Sequence, residues 1–298
     1  MPPLFSVVVP TYNRADHLPV ALQSVRNQTF TDWELIVVDD GSTDGTRAAV
    51  TPFLRDDRVV YHHQENRELN GARNTGTRLA RGRYVCYLDD DDRYLPDHLA
   101  TLAAAIGAHG SAYGIYATNI IIDYGTRQTV APALDNGRDM LPQFWAGPRN
   151  YLGLAVERSL PLADPFDESE FRLDDFLWLQ QTLVRTRLHF TDRATAVYVQ
   201  HPQNRTKTHP NAAVVRQSVA KLRAAYAAEG VRERVGDTIF RGQLRHQYFH
   251  LAGQLGARRR PGPGLAAWWR GVRTAGVGPL RPAVVALGRA LVSYRRTN

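Results

Sequence analysis

A single cysteine in 298 residues, Cys86, rules out a disulfide within the chain and makes a reducing compartment the natural expectation. Its neighbours Tyr84, Val85, Tyr87 and Leu88 favour a strand, so Cys86 reads as a buried inert thiol rather than a nucleophile. No stretch reaches the roughly 18 consecutive apolar residues that a membrane-spanning helix needs. Met1 to Val9 carries no basic segment, so no secretory leader is read there, and a cytoplasmic location is expected. Lysine is almost missing, with only Lys207 and Lys221, and arginine supplies the remaining positive charge. The dinucleotide fingerprint G-x-G-x-x-G follows neither of the first two apolar runs, and no Walker A sequence occurs. That argues against a nicotinamide cofactor and against P-loop phosphoryl transfer. Asp40-x-Ser42-x-Asp44-Gly45 is half a calcium loop only, because Thr51 stands where the bidentate Glu is required.

What the chain does contain is ordinary globular material, 43% hydrophobic and 22% charged. The charge is unevenly placed. Residues 211–298 are net +13 and residues 1–210 net −5. This division suggests a domain over 1–210, read as halves 1–97 and 98–210, and a basic helical C-terminal extension over 211–298.

Phe5 to Pro10 is a short β-branched run read as a buried strand, and Leu18, Ala21, Leu22 and Val25 recur at helical spacing after it. Trp33 to Val38 is a second strand, closed by the turn formers Asp39-Asp40-Gly41-Ser42. A helix to about Leu54, a strand over Val59-Val60-Tyr61, a helix from Asn70 to Ala80 and a strand from Tyr84 to Leu88 continue the alternation. Strand–helix alternation with short links predicts an α/β fold with a mostly parallel central sheet and helices on both faces. Beyond it the pattern predicts a helix to Ala108, a strand from Tyr113 to Asp123, loop over 124–150 and a helix from Asp174 to Thr186. A strand from Ala194 to Gln200 and helices over 211–228 and 234–256 follow. After the break at Arg258 to Gly264, two short helices are expected.

The run Asp89-Asp90-Asp91-Asp92 stands at the end of the fourth strand. Strand ends of open α/β sheets are where ligands bind. Carboxylates this crowded repel one another and hold protons unless a cation is near. A hard divalent ion, Mg²⁺ or Mn²⁺, explains them, and so does a solvated acidic turn; the run alone does not choose. Asp39 and Asp40, one strand end away, have the acceptors to read a nucleotide base or ribose, and Tyr12 offers a flat ring for a base.

Five ordered blocks then carry a resemblance. They are Ser6-Val-Val-Val-Pro-Thr-Tyr-Asn-Arg14, Gln28-Thr-Phe30, Trp33 to Gly45, Gly71-Ala-Arg-Asn-Thr-Gly76 and Leu88-Asp-Asp-Asp-Asp92. Together they resemble the family 2 glycosyltransferases, inverting enzymes of the GT-A fold that use nucleotide-sugar donors. The resemblance is dense over 5–97, patchy over 98–210 and not visible over 211–298. It implies a nucleoside-diphosphate sugar donor, with UDP favoured, and a glycan, lipid-linked or small-molecule acceptor. Pro10, Tyr12, Asn13, Asp39 and Asp40 are implied on the nucleotide side, with Arg73, Asp89 and Asp90 beside them. Asp89 and Asp91 match the D-x-D pattern, whose last Asp holds the Mn²⁺ or Mg²⁺, although four consecutive Asp leave the register open by one residue. Arg172-Leu-Asp174-Asp175-Phe-Leu-Trp178 resembles the family's Glu-Asp-x-x-Leu-Trp block with Leu173 in place of Glu. Counting back from Trp178 makes Asp174 the implied general base and Asp175 its runner-up; two acids at a helix N-terminus also simply complement the dipole. Tyr198-x-x-His201-x-x-Asn204-x-Thr206 resembles a late segment that closes over the diphosphate. His201 is thereby a metal or phosphate ligand, or plain polar surface.

Two other classes compete. A nucleotidyltransferase would carry a Gly-rich, cationic loop after the first strand, which Thr11-Tyr-Asn-Arg14 is not. A non-catalytic sugar-nucleotide-binding protein would bind donor without turnover. In the extension, Leu280, Val284, Leu287 and Leu291 share one helical face with Arg289 and Arg296 opposite, and Trp268, Trp269 and Val272 stripe the preceding helix. Such stripes suit a peripheral membrane contact, packing on the domain, or a homo-oligomer. No nucleic-acid partner is expected, since no recognised module accompanies the charge.

Overall fold

A computed structural model describes residues 1–147, 152–169, 174–201, 204, 212–257 and 270. The chain divides into two compact units. One comprises Met1–Met140, Asn150–Glu170 and Arg185–His201; the other comprises Leu141–Arg149, Phe171–Val184 and Pro202–Asn298.

The first unit is built on one nine-stranded sheet. Strands β1 (Phe5–Thr11), β2 (Trp33–Asp39), β3 (Val59–His63) and β4 (Tyr84–Tyr87) run parallel in the order β3-β2-β1-β4. β1 and β2 are buried along their whole length, as expected of β-branched strands covered on both faces. Between them come α1 (Leu18–Arg26), α2 (Thr46–Val50) with a 3₁₀ turn over Thr51–Arg55, and α3 (Glu68–Leu79). α1 buries Leu18, Ala21, Leu22 and Val25, the four residues whose spacing marked it.

The second half of the sheet mixes directions. β6 (Ile115–Asp123) and β9 (Leu188–Val199) pair in parallel, while β5 (Arg93–Tyr94), β7 (Gln128–Val130) and β8 (Leu154–Glu157) add antiparallel ladders. β8 joins the halves by pairing with both β4 and β6. α4 (His98–His109) and α6 (Ser159–Ala163) complete the unit. Residues 124–150 differ from the expected loop, since β7 and α5 (Met140–Ala146) form there. β9 starts six residues before the expected Ala194; β5, β8 and α6 escaped the sequence because each has at most five residues, too few to display a period.

The second unit is helical in its described residues: most of α5, α7 (Asp174–Arg185), α8 (Ala212–Ala227) and α9 (Val231–Ala257). Trp145 is buried, edge-on to Phe176, Tyr226 and Phe240, and the last two rings stack 3.8 Å apart. α9 breaks at Gly236, whose φ of 74° is not helical. The apolar stripes around Trp268 and Leu280 lie outside the described residues.

Three features of the first unit aim its strand ends. The β1–β2 register sets Thr11 beside Asp39, and the Leu88 amide continues β4 by donating to the Val8 carbonyl at 3.0 Å. α3 lies hard against β1 because residue 76 is glycine: a Cβ there would fall 2.2 Å from Val8 Cγ1. Buried Glu34 then fixes the turn from α3 into β4, accepting from Ser6 Oγ at 2.6 Å and from the Arg81 and Gly82 amides at 2.7 and 3.2 Å. Burial pushes the Glu34 carboxyl up, and these hydrogen bonds with the Arg81 charge outweigh it, so it stays below the usual range.

Candidate active site

The C-terminal ends of β2, β1 and β4 bring the predicted residues to one edge of the sheet. Asp39 and Asp40 close β2. Asp39 is buried, with Oδ1 accepting from the Ser42 amide at 2.8 Å and Oδ2 from the Tyr61 hydroxyl at 2.6 Å. Burial raises its carboxyl, but Ser42 and Tyr61 prevail and hold it low and ionised. Asp40 is the reverse case. It receives Gln64 Nε2 at 2.6 Å and the Arg67 amide at 2.9 Å, yet burial raises its carboxyl overall. Asp40 thus differs from Asp39 in that its hydrogen bonds do not offset the effect of burial.

On β1 the chain leaves through Pro10 and Thr11 into an exposed corner. Tyr12 is 48% exposed. Asn13 holds a left-handed φ of 51°, which Asn tolerates. Its amide donates to Ser42 Oγ at 2.9 Å, and its Oδ1 accepts from the Thr43 amide at 2.8 Å. The β1 and β2 exit loops are thus sewn together, which explains polar residues at both without any appeal to ligand.

The four carboxylates after β4 separate into distinct environments. Asp89 is partly open, and its Oδ1 accepts from Arg73 Nη2 at 3.0 Å. Arg73, on α3, is 1% exposed and lies over the Phe166 ring. Asp91 meets His201 Nε2 at 2.9 Å, with both side chains mostly covered. His201 in turn stacks on His17, ring centroids 5.2 Å apart. Asp92 points elsewhere: it is buried, and its Oδ1 accepts from the Val199 amide at 2.8 Å, tying the loop to β9. Burial, then repulsion from Asp89 and Asp91, raises Asp92 well above the usual carboxylate range. Asp90 is pushed up to about 7 by burial and by Asp91 and Asp89, against the opposing pull of Thr11 and Arg14. Burial and crowding thus raise Asp90 and Asp92, the direction expected of adjoining carboxylates.

Among the described residues, no three His, Cys, Asp or Glu side chains form a group that could hold a metal ion. Asp89, Asp91 and His201 nonetheless supply hard oxygen and imidazole donors of the kind Mn²⁺ and Mg²⁺ accept. Mg²⁺ commonly takes only one or two protein carboxylates and fills its other positions with phosphate oxygens and water, so an incomplete protein donor set is compatible with it.

Asp174 and Asp175 open α7 in the second unit, and their side chains lie outside the described set. Of the late segment, His201 and buried Asn204 are described and Thr206 is not. Sequence reasoning passed over Gln64, Arg67 and Phe166 to Glu168. Asn74 Oδ1 accepts from the Phe166 amide at 2.9 Å while its Nδ2 donates to the Phe166 carbonyl at 3.0 Å, and Asn70 Nδ2 donates to the Asp167 carbonyl at 2.8 Å. The only advance signal was Asn70 and Asn74, polar residues one helical turn apart in a helix that buries both.

Known proteins resemble the chain in both sequence and shape. Residues 6–155 match the family described as Glycosyl transferase family 2. Over 103 residues the chain is 44% identical to a GalNAc(5)-diNAcBac-PP-undecaprenol beta-1,3-glucosyltransferase of Campylobacter jejuni, covering 34% of this chain and 33% of that protein. Over 126 residues it is 36% identical to the putative teichuronic acid biosynthesis glycosyltransferase TuaG of Bacillus subtilis, covering 42% and 50%. The aligned stretch thus spans a third to a half of the length of these relatives. Among solved structures, S. aureus TarS 1–349 in complex with UDP-GlcNAc superposes with a TM-score of 0.69 at 19% identity, covering 99% of this chain and 90% of that one. The mannosyltransferase PcManGT of Pyrobaculum calidifontis, in complex with GDP-Man and Mn²⁺, gives 0.62 at 20%, covering 99% and 82%. These structures share the fold, the GT-A arrangement, and the family match covers half of the sequence: the chain belongs to glycosyl transferase family 2.

Proposed function

We propose that the protein is an inverting, metal-assisted glycosyltransferase that moves a sugar from a nucleoside-diphosphate sugar, UDP favoured, to an acceptor nucleophile. The observation that carries this reading is the partition along one sheet edge. Asp39, Asp40 and Tyr12 stand at the ends of β2 and β1, and the Asp89–Arg73 and Asp91–His201 pairs follow β4. The first group has the acceptors and the exposed ring that suit a base and ribose. The second presents two cationic or neutral donors, Arg73 and His201, with two carboxylates, which suits a diphosphate carried with a divalent ion.

A bound Mn²⁺ or Mg²⁺, held by Asp91 and Asp89 with His201 beside them, would offset the diphosphate charge and stabilise it as leaving group. The chain's own residues do the rest. Arg73, buried and preset by Asp89, adds a fixed positive charge where negative charge grows. Inversion needs an acceptor deprotonated on the opposite face of the sugar, and Asp174, or Asp175 if the register slips by one, supplies the base. Residues 1–210 form the catalytic domain in this reading, and the basic 211–298 extension serves a membrane surface or a second subunit.

For the acceptor, a glycan or lipid-linked glycan is favoured by the relatives' names, a glucosyltransferase of an undecaprenol-linked glycan and a teichuronic acid enzyme. A cytoplasmic, membrane-peripheral location follows from such an acceptor. Among the described residues no helix is long and apolar enough to cross a membrane.

The test is incubation with a panel of nucleotide sugars, with Mn²⁺ and with chelator, while following nucleoside diphosphate release. Release of one diphosphate that depends on the metal is expected. Release of sugar 1-phosphate would indicate nucleotidyl transfer, and binding without any release would indicate a binding protein.

A further inference from the structure

A corner of the first unit is held by bonds that the proposed chemistry does not itself use. Glu68, at the start of α3, has a left-handed φ of 62°. For a non-glycine residue that conformation is strained and persists only where neighbours over-determine it, most often beside a functional site. The neighbours here are specific. The residue before it, Arg67, gives its amide to Asp40 at 2.9 Å. Its guanidinium Nη2 reaches both oxygens of Glu168, 2.9 Å each. Glu168 Oε1 also accepts from Asn74 Nδ2 at 3.1 Å, so the carboxylate touches α3 at the residue next to Arg73.

Glycine at position 71 keeps the space for this arrangement. A Cβ there would lie 2.4 Å from Arg67 Cβ and 3.5 Å from Glu168 Oε2. The sequence block Gly71-Ala-Arg-Asn74 thereby gains a physical reading: Gly71 admits the Arg67 side chain, Arg73 faces Asp89, and Asn74 grips Phe166 and Glu168.

We propose that Glu168 is a positioning residue for the nucleotide-sugar donor, acting through a clasp on Arg67 and Asn74 that sets Asp40 and Arg73 in one fixed relation. The inference rests on the donor reading given above, since Asp40 stands on the base side and Arg73 on the diphosphate side. Both clasp side chains are partly open, with 47% of Arg67 and 37% of Glu168 exposed. An ion pair so exposed adds little to global stability. Its effect lies in the alignment of two distant donor contacts, which binding affinity reads far more sharply than unfolding does.

The experiment compares wild type with Glu168→Ala, Arg67→Ala, the double variant and the conservative Glu168→Gln. Donor KM and kcat, UDP affinity in the presence of Mn²⁺, and hydrogen exchange of the Arg67 amide are measured on the full chain. Each alanine variant is expected to raise donor KM about tenfold with kcat within about threefold, and to speed exchange at Arg67. The double variant should be no worse than Glu168→Ala, which already removes the Arg67 link. Glu168→Gln, which keeps an acceptor for Arg67 and Asn74, should recover most of the loss. KM and Arg67 exchange unchanged in both alanine variants would overturn the clasp while leaving the donor reading intact. A wild type that binds no nucleoside diphosphate at all would overturn the donor reading and with it the role given to Glu168. Full additivity in the double variant would also reject the clasp, since the two residues would then act separately.

Discussion

Four identical side chains in a row have four different physical situations, and that difference makes their roles separable. Asp92 is raised, buried, and needed as an acceptor for the Val199 amide. The amide oxygen of Asn can accept the same bond, so Asp92→Asn should fold and keep turnover within a few fold. Asp91 is mostly covered and paired with His201. Asp91→Asn should lose the metal dependence of donor binding and cut turnover at least about a hundredfold, the scale of losing a ligand or its close partner. Calorimetry of UDP with and without Mn²⁺ separates the two; the same loss in Asp92→Asn would move the register by one residue. Nothing in a run of identical letters could have made this distinction. It depends on which backbone amide and which imidazole the fold delivers. A second residue-scale expectation concerns His98, fully buried, with Nδ1 2.8 Å from Thr195 Oγ1 and the ring stacked on Tyr94. Burial lowers its pKa from 6.5 to about 3. Between these values the unfolded chain binds the proton and the folded chain does not, so stability falls as pH drops below 6.5. At pH 5 the loss is about 2 kcal/mol relative to pH 8. His98→Asn, less stable than wild type at pH 8, should lack this loss, so the gap between them in urea unfolding should close by about that amount at pH 5. A gap that stays constant would mean His98 is protonated without penalty.

At the scale of elements, the βα alternation over the first hundred residues was legible because the strands are short apolar runs, β1 and β2 closed by polar turns, and α1 shows an apolar face, although α3 buries mostly polar residues. Beyond β4 the same rules found α4, β6, α7, α8 and α9 but missed the short elements. β8 is four residues long and pairs antiparallel to both neighbours, and β5 is two. A loop composition hid α5, whose Phe144 and Trp145 are buried. Periodicity needs length, and tertiary pairing supplied what length did not. The clasp around Glu168 is illegible for another reason: its partners are about a hundred residues apart, and no local pattern signals a pair. α3 shows how tightly an element must be set to present a functional group. Gly76 permits its contact with Val8, three residues beyond Arg73. Gly76→Ala should overpack this contact, costing about 1–3 kcal/mol. It should also raise donor KM, because the helix carrying Arg73 must move off β1. Circular dichroism melting with donor titration checks both; a stable variant with altered KM would place the whole effect on alignment, and an unaltered KM would uncouple α3 from the site.

For the whole molecule, the proposed reaction assigns its two halves to different compact units. The residues matched to donor and metal, from Pro10 to Asp91 together with His201, belong to the first unit, and Asp174 and Asp175 open α7 in the second. In the sequence both sets fall within one continuous stretch of polypeptide, residues 1–210. Chemical independence follows from the assignment. On this proposal donor affinity rests on Asp40, Arg73 and Asp91, and the base acts only on the acceptor proton in the transition state. Asp174→Asn should therefore bind UDP and Mn²⁺ within about twofold of wild type while transfer to acceptor falls by the 10²–10⁴ expected for a lost general base. Equilibrium binding beside single-turnover transfer reads the two quantities separately. If Asp175→Asn gives that pattern and Asp174→Asn does not, the base is Asp175, one position on. If neither does, the base lies outside α7 and the likeness of Asp174–Trp178 to the family block is structural, two acids at the start of a helix whose dipole favours them.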